Sequence, residues 1–274
     1  MTVLITGING FIASHLYDVL KIEHTIIGTT REDSANIVAI LNQYQPEYIY
    51  HIGAEIYDND KMFDSNIMLT FHILEYCRTA TNLVKLIIIG SSSEYGRKSK
   101  PMAENDCLEP QTIYEGTKAA CIMLAQSYSH TYNIPILIIR PFTIYGPGEK
   151  PKKFLQILFK KLKNNDKTIS VSKGVHDYVY IEDFINALLS IVTNNHNLFD
   201  IVNIGSGIQT TNAEVVKCFE KATQYKFDTY LQLEPKKYDS DNWVCDTTKL
   251  EKYYTIKYSL ESGIREMYKL TKNI

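Results

Sequence analysis

Apolar residues along the first two-thirds of the chain fall into short β-branched runs separated by stretches of helical periodicity. Strands are expected at Thr2–Thr6, Thr25–Thr29, Tyr48–Ile52, Lys85–Ile89, Ile134–Ile139 and Ile201–Ile204. Helices are expected at Phe11–Leu20, Ile37–Tyr44, Asn66–Ala80, Ile113–Tyr132, Phe154–Lys163 and Ile181–Val192. Leu86–Ile89 and Ile136–Ile139 are apolar at every position, which suits strands covered on both faces. Strand–helix alternation of this kind builds a parallel sheet with helices on each side. The predicted class is therefore α/β, a Rossmann-type doubly wound parallel sheet. After Gly146-Pro147-Gly148 the alternation weakens, and charged, Tyr-rich sequence dominates from Lys221 onward, where a smaller lobe is expected.

Composition narrows the setting. A chain of 274 residues with 45% hydrophobic and 22% charged positions is that of an ordinary globular protein with material for a large core. A net charge of -2 gives no basic field for nucleic acid or an anionic membrane. No apolar run approaches a membrane span, and the N-terminus enters a strand without a signal-peptide pattern. The five cysteines lack metal-ligand or CxxC spacing, so reduced thiols, no metal and a cytoplasmic location are expected.

The first strand runs into Thr6-Gly7-Ile8-Asn9-Gly10-Phe11-Ile12-Ala13, which opens a helix. Glycines at such a turn let backbone N–H groups approach a pyrophosphate, whose charge the helix N-terminus favours. Gly7, Asn9, Gly10, Phe11 and Ile12 are thus candidate dinucleotide contacts, with small Ala13 where helix and strand must pack closely. NAD sites usually place an acid at the end of the second strand for the ribose 2′-OH. Here Thr30 holds that place and Arg31 follows, with Glu32 and Asp33 beside it. A guanidinium suits a 2′-phosphate, so NADP(H) is favoured and NAD(H) is the alternative.

Tyr114 and Lys118 lie four apart on one predicted helix, hence on one face. A free phenol, with a pKa near 10, is a poor proton shuttle at neutral pH, and a neighbouring ammonium would bring it into range. The strand Lys85–Ile89 runs into Gly90-Ser91-Ser92-Ser93-Glu94-Tyr95-Gly96. A serine hydroxyl at that strand end can bond a substrate oxygen beside the phenol, in the crevice where such sheets bind ligands.

The order TGxxGF, Ser-Ser…Tyr-Gly, YxxxK and Arg140-Pro141-Phe142-Thr143-Ile144-Tyr145-Gly146-Pro147-Gly148 resembles the extended short-chain dehydrogenase/reductase family of nucleotide-sugar enzymes. His51-Ile52-Gly53-Ala54, Asn66, Asp177-Tyr178 and Asn203-Ile204-Gly205 extend the likeness along nearly the whole chain. The resemblance implies a dinucleotide-binding Rossmann domain over 1–148 plus 177–205 and a nucleotide-sugar-binding lobe over 149–176 plus 206–274. It implies that Tyr114 moves a proton at the sugar oxygen, that Lys118 holds the ribose, and that Ser91 or Ser92 polarises the same oxygen. Counting back from Gly96 selects Ser91, whereas matching Ser-Ser-Glu selects Ser92. It further implies cofactor contacts from Ile52, Gly53, Ala54 and Pro141, substrate contacts from Ser92, Ser93, Glu94, Thr143 and His176, and a homodimer.

Three departures from the family stand out. Between Arg31 and Pro46 there is room for one helix only, so one edge strand is expected to be missing and the adenine pocket more open. Thr143 replaces the family's asparagine. His176 replaces an arginine that clamps the diphosphate, with Lys173, Lys236 or Lys237 as possible substitutes. With Arg31 pointing to NADPH, reduction of a nucleotide-linked 4-keto-6-deoxy sugar is the favoured expectation. A 4-epimerase or a 4,6-dehydratase using Glu94 is the alternative, and a cofactor-sensing protein without activity is the remote one.

Overall fold

The computed structural model describes residues 1–232 and 240–272. In chain order its first elements are β1 (Thr2–Thr6), α1 (Phe11–Leu20), β2 (Thr25–Thr29), α2 (Ile37–Tyr44), β3 (Tyr48–His51), α3 (Asn59–Met62) and α4 (Leu69–Thr79). These are followed by β4 (Lys85–Ile89), α5 (Ile113–Tyr132), β5 (Ile136–Pro141), β6 (Thr143–Tyr145), α6 (Phe154–Lys163) and β7 (Thr168–Val171). Then come β8 (Val175–Tyr180), α7 (Ile181–Asn194), β9 (Phe199–Ile204), β10 (Gln209–Thr211), α8 (Asn212–Thr223), β11 (Thr229–Gln232) and α9 (Leu260–Lys272).

The chain divides into two compact units. The first holds residues 1–96, 104–141 and 188–203, and the second holds, of the described residues, 97–103, 142–187, 204–232 and 240–272. Relative to the domains drawn from sequence, 97–103, 142–148, 177–187 and 204–205 fall in the second unit, and the division runs through α7. Within the second unit the short 97–103 stretch is fastened by a bridge from Met102 to Cys245, a pairing that local spacing does not reveal.

In the first unit six strands form one sheet in the order β2-β1-β3-β4-β5-β9. β2, β1, β3, β4 and β5 pair in parallel. This is a Rossmann-type arrangement in which β2 is the edge, so among the described residues no strand lies outside it, in line with the short 31–46 segment. Leu4, Ile49, Leu86, Ile88, Ile136 and Ile138 form the sheet's contribution to a core shared with α2, α4 and α5. β4 is buried at all five positions, which explains its unbroken apolar sequence. In the second unit β10-β8-β6 form a three-stranded sheet and β11-β7 a parallel pair.

Several element ends differ from expectation: β3 stops one residue early, β9 begins two residues early and α7 runs two residues further. β5 lies two residues later than predicted. The expected helix from Asn66 is preceded by α3, and a π-helical turn at Phe63–Met68 leads into α4. π-turns often mark functional positions. Here the turn buries Asn66, whose side chain accepts Glu55 N–H at 2.7 Å and donates to Thr117 Oγ1 at 3.0 Å. It therefore ties the loop after β3 to the helix carrying Tyr114 and Lys118.

Candidate active site

The glycine loop is shaped for close approach. Gly7 has φ +68°, and a Cβ there would lie 2.7 Å from Gly53 Cα, so a side chain is excluded by both conformation and space. Gly10 N–H closes the turn onto the Gly7 carbonyl at 2.7 Å, and Ile8 N–H bonds the Thr29 carbonyl at the end of β2. α1 begins at Phe11 with no side-chain cap on its first N–H groups. An open helix N-terminus behind a cradle that any Cβ would fill fits a dinucleotide pyrophosphate. Asn9 and Gly10 are exposed, and Phe11 and Ile12 are half-buried.

Beneath the loop, Thr6 Oγ1 accepts the N–H groups of Ile52 and Gly53, both at 3.0 Å. It also meets His51 Nδ1 at 2.9 Å, while His51 Nε2 meets Thr70 Oγ1 at 2.9 Å. Burial holds His51 neutral, with its pKa driven down to about 3, and the Lys118 charge adds to that. These bonds join the ends of β1 and β3 to α4 and fix the Ile52-Gly53-Ala54 segment, with Gly53 packed against Gly7.

Arg31, expected to face a 2′-phosphate, already has a partner within the protein. Its guanidinium pairs at 2.5 Å with Glu55, a carboxylate only 7% exposed. The other Glu55 oxygen accepts the N–H groups of Ile56, Tyr57 and Asp58 at 2.9, 2.8 and 3.2 Å. Burial pushes the Glu55 carboxyl up, but these N–H groups together with Arg31 outweigh it and hold the pKa low. Asp33 does not neutralise Arg31 either. It accepts the N–H and hydroxyl of Thr30 at 2.7 and 2.9 Å, which brings a carboxylate to the end of β2 after all. The preference for NADP drawn from Arg31 is therefore corrected. Sequence reasoning missed Glu55 because its partner comes from another strand end.

At the end of β4, Ser91 opens a single 3₁₀ turn, Ser92–Tyr95. Ser91 Oγ lies 2.7 Å from Ser93 Oγ, and its hydroxyl is near enough to the Tyr114 phenol to oppose the rise in that phenol's pKa. Ser92 is 5% exposed, so of the two candidates Ser91 is the one facing the phenol. Glu94 departs from expectation. It is completely buried, accepting Ser91 N–H at 2.7 Å through one oxygen and Arg140 Nε at 2.7 Å through the other. Its assignment as a substrate contact or dehydratase acid is corrected, since both oxygens are spent inside the protein.

α5 starts with a reciprocal capping box between Thr112 and Glu115, which fixes the turn carrying Tyr114. Tyr114 is half-buried. Burial pushes its phenol up to about 12, against the Ser91 hydrogen bond, with Glu94 and Glu115 adding to the upward push. The expected depression by Lys118 is not what this arrangement gives. Lys118 is buried and donates to the Ile89 carbonyl at 2.5 Å, and burial lowers its own pKa. Pro141 ends β5, half-buried.

In the second unit, Thr143 Oγ1 and His176 Nδ1 approach to 3.5 Å, and the His176 ring stands edge-on to Tyr178. Lys173 is exposed, and Lys236 and Lys237 lie outside the described residues.

A parallel sheet with a glycine cradle at one strand end and a Ser–Tyr–Lys group at another defines a nucleotide-dependent oxidoreductase of the Rossmann class. Residues 3–205 match the NAD dependent epimerase/dehydratase family, and the chain belongs to it. Protein CapI of Staphylococcus aureus is 29% identical over 86% of this chain and 87% of its own length. A probable UDP-glucuronate 4-epimerase of Rhizobium meliloti is 27% identical over 81% and 82%. The structure of UDP-glucuronic acid 4-epimerase from Bacillus cereus, with UDP-glucuronic acid and NAD, superposes with a TM-score of 0.89. It is 26% identical, and the match covers 100% of this chain and 99% of that one.

Proposed function

We propose that the chain is an NAD-dependent 4-epimerase of a UDP-linked sugar. Glu94 carries the choice within the family. A 4,6-dehydratase needs an acid and a base for water elimination beside the hydroxyl, and the glutamate that could serve is buried on Arg140. The 4-ketoreductase expectation rested on Arg31 and NADPH, and Arg31 is engaged by Glu55. The Bacillus cereus structure is of an epimerase and the Rhizobium meliloti relative is named as a probable one, which supports the same reading.

Gly7, Gly10 and the first N–H groups of α1 would hold the pyrophosphate, and Asp33 beside Thr30 would take ribose hydroxyls. When bound, NAD supplies the site that accepts a hydride and gives it back. The Tyr114 oxygen takes the proton of the sugar 4-hydroxyl and later returns it, so the reaction needs no net acid or base. Ser91 Oγ, near enough to the phenol to act on its pKa, would bond the same sugar oxygen and keep the transfer path short. Lys118 would hold the nicotinamide ribose. Thr143 and His176 are the proposed nucleotide-sugar contacts of the second unit. No described helix is long and apolar enough to cross a membrane, and a cytoplasmic homodimer is part of the reading.

The test is to incubate the purified protein with NAD and either UDP-glucuronic acid or UDP-glucose and resolve the products by NMR. A 4-epimer without net NADH supports the proposal. A 4-keto-6-deoxy product would replace it with the dehydratase. Consumption of NADPH with a 4-keto-6-deoxy sugar would restore the reductase.

A further inference from the structure

Ser91 stands at the mouth of a short turn, where a serine side chain has several rotamers and a main chain that could shift. Here the main chain is held twice. Glu94 Oε1 accepts Ser91 N–H at 2.7 Å, and Glu94 N–H bonds back to the Ser91 carbonyl at 3.2 Å. Glutamates in capping boxes usually sit in water at a helix end. Glu94 instead has no exposure, and its second oxygen is gripped by Arg140, which is 2% exposed. Arg140 is anchored in turn. Its Nη1 donates to the Tyr95 hydroxyl at 2.9 Å and to the Glu104 carbonyl at 3.3 Å, and Tyr95 donates to Asn203 at 2.8 Å.

A buried ion pair is a poor source of net stability, because desolvating both charges offsets most of their attraction. What such a pair does provide is a unique geometry. Gly90 is part of that geometry, since a Cβ there would lie 2.6 Å from Glu94 Oε1. The carboxylate is also near enough for its charge to act on both Tyr114 and Lys118. An apolar side chain at position 94 would fill the space but leave Ser91 N–H without its acceptor.

We propose that Glu94 is a positioning residue of the active site: braced by Arg140, its carboxylate fixes the Ser91 main chain so that the Ser91 hydroxyl meets the Tyr114 phenol. This rests on the reading of Tyr114 and Ser91 as the reacting pair. Glu94→Gln cannot satisfy both Ser91 N–H and Arg140 Nε, because one of its two ends is now a donor.

The experiment is a double-mutant cycle with Ser91→Ala, measured on the epimerisation of UDP-glucuronic acid, with Tyr114→Phe as the control. If Glu94 acts through Ser91, E94Q lowers kcat about 10- to 100-fold, the range expected when a reacting group is misplaced by about 1 Å. KM for the nucleotide sugar then stays within about 3-fold, and the S91A/E94Q double variant is no slower than S91A alone. A role only in folding would lower the yield of native protein, leave kcat per native enzyme intact, or add its loss to that of S91A, and any of these overturns the proposal. Should E94Q fail to fold, E94Q/R140Q lets the amide oxygen at position 94 keep Ser91 N–H while its N–H groups bond the amide oxygen at position 140. A kcat within about 3-fold of native is then expected, and a loss of about 10-fold or more with native KM overturns the proposal. A Tyr114→Phe enzyme that turns over normally would sink the functional reading itself and this proposal with it. An inactive Tyr114→Phe beside a fully active E94Q sinks the proposal alone.

Discussion

Replacing Glu55 by glutamine should relax the discrimination against NADP(H). The side-chain oxygen of the new amide can keep accepting the N–H groups of Ile56, Tyr57 and Asp58, so the loop after β3 keeps its shape. The change falls on the other oxygen, where an amide donor now faces the Arg31 guanidinium instead of a carboxylate 2.5 Å away. In the native protein, recruiting Arg31 to a 2′-phosphate requires breaking that pair. Arg31 is 60% exposed, so solvent screens the pair and its worth is about 0.5–1 kcal/mol. Removing that cost corresponds to roughly 2- to 5-fold tighter NADPH binding at 1.4 kcal/mol per tenfold. Loss of a nearby negative charge acts in the same direction. NADH affinity should change by less than about 2-fold, since Asp33 and the glycine cradle are untouched. Fluorescence titration of both reduced cofactors measures this directly. An unchanged NADPH affinity, or native protein that binds NADPH as tightly as NADH, would refute the claim that Glu55 withholds Arg31.

The same strand ends carry two other predictions. Gly7→Ala places a Cβ 2.7 Å from Gly53 Cα at a φ of +68°. It should abolish measurable NAD binding and cost about 1–2 kcal/mol of stability, read by calorimetry and urea unfolding. His51 is held neutral in the fold, with a pKa of about 3 against 6.5 when unfolded. Its folded form binds fewer protons, so its contribution is complete above pH 6.5 and is lost as pH falls toward 3. Between pH 6.5 and 5 the native protein should lose about 2 kcal/mol more than His51→Gln, at 1.36 kcal/mol per pH unit. Equal pH slopes for the two proteins would count against a buried neutral imidazole.

The parts of the fold written in local pattern were legible in the sequence. β1, α1 and the turn between them follow from a strand run, two glycines and a helical period, and α5 was expected over Ile113–Tyr132, the range it occupies. Even the missing edge strand was visible, because 31–46 is too short to hold helix, strand and helix. What stayed hidden depends on partners distant in sequence. Arg31 reads as a phosphate ligand until β1, pairing with both β2 and β3, brings Glu55 beside it. Glu94 reads as an exposed acid after a serine turn until Arg140, 46 residues on, closes over it from β5. Both errors have one cause: a charge next to a motif is taken for a ligand contact when it is satisfied within the protein. The π-turn at Phe63–Met68 was missed because its apolar spacing is that of an ordinary helix.

The central claim is that Tyr114, with Ser91 against its phenol and Lys118 on the same helix, moves the substrate proton. Tyr114→Phe removes one oxygen from a half-buried ring and should leave NAD binding and thermal stability near native. With UDP-glucuronic acid and NAD, kcat should fall about 10²- to 10⁴-fold, the usual contribution of a positioned acid–base group. A Tyr114→Phe enzyme that epimerises the sugar at the native rate would contradict the account.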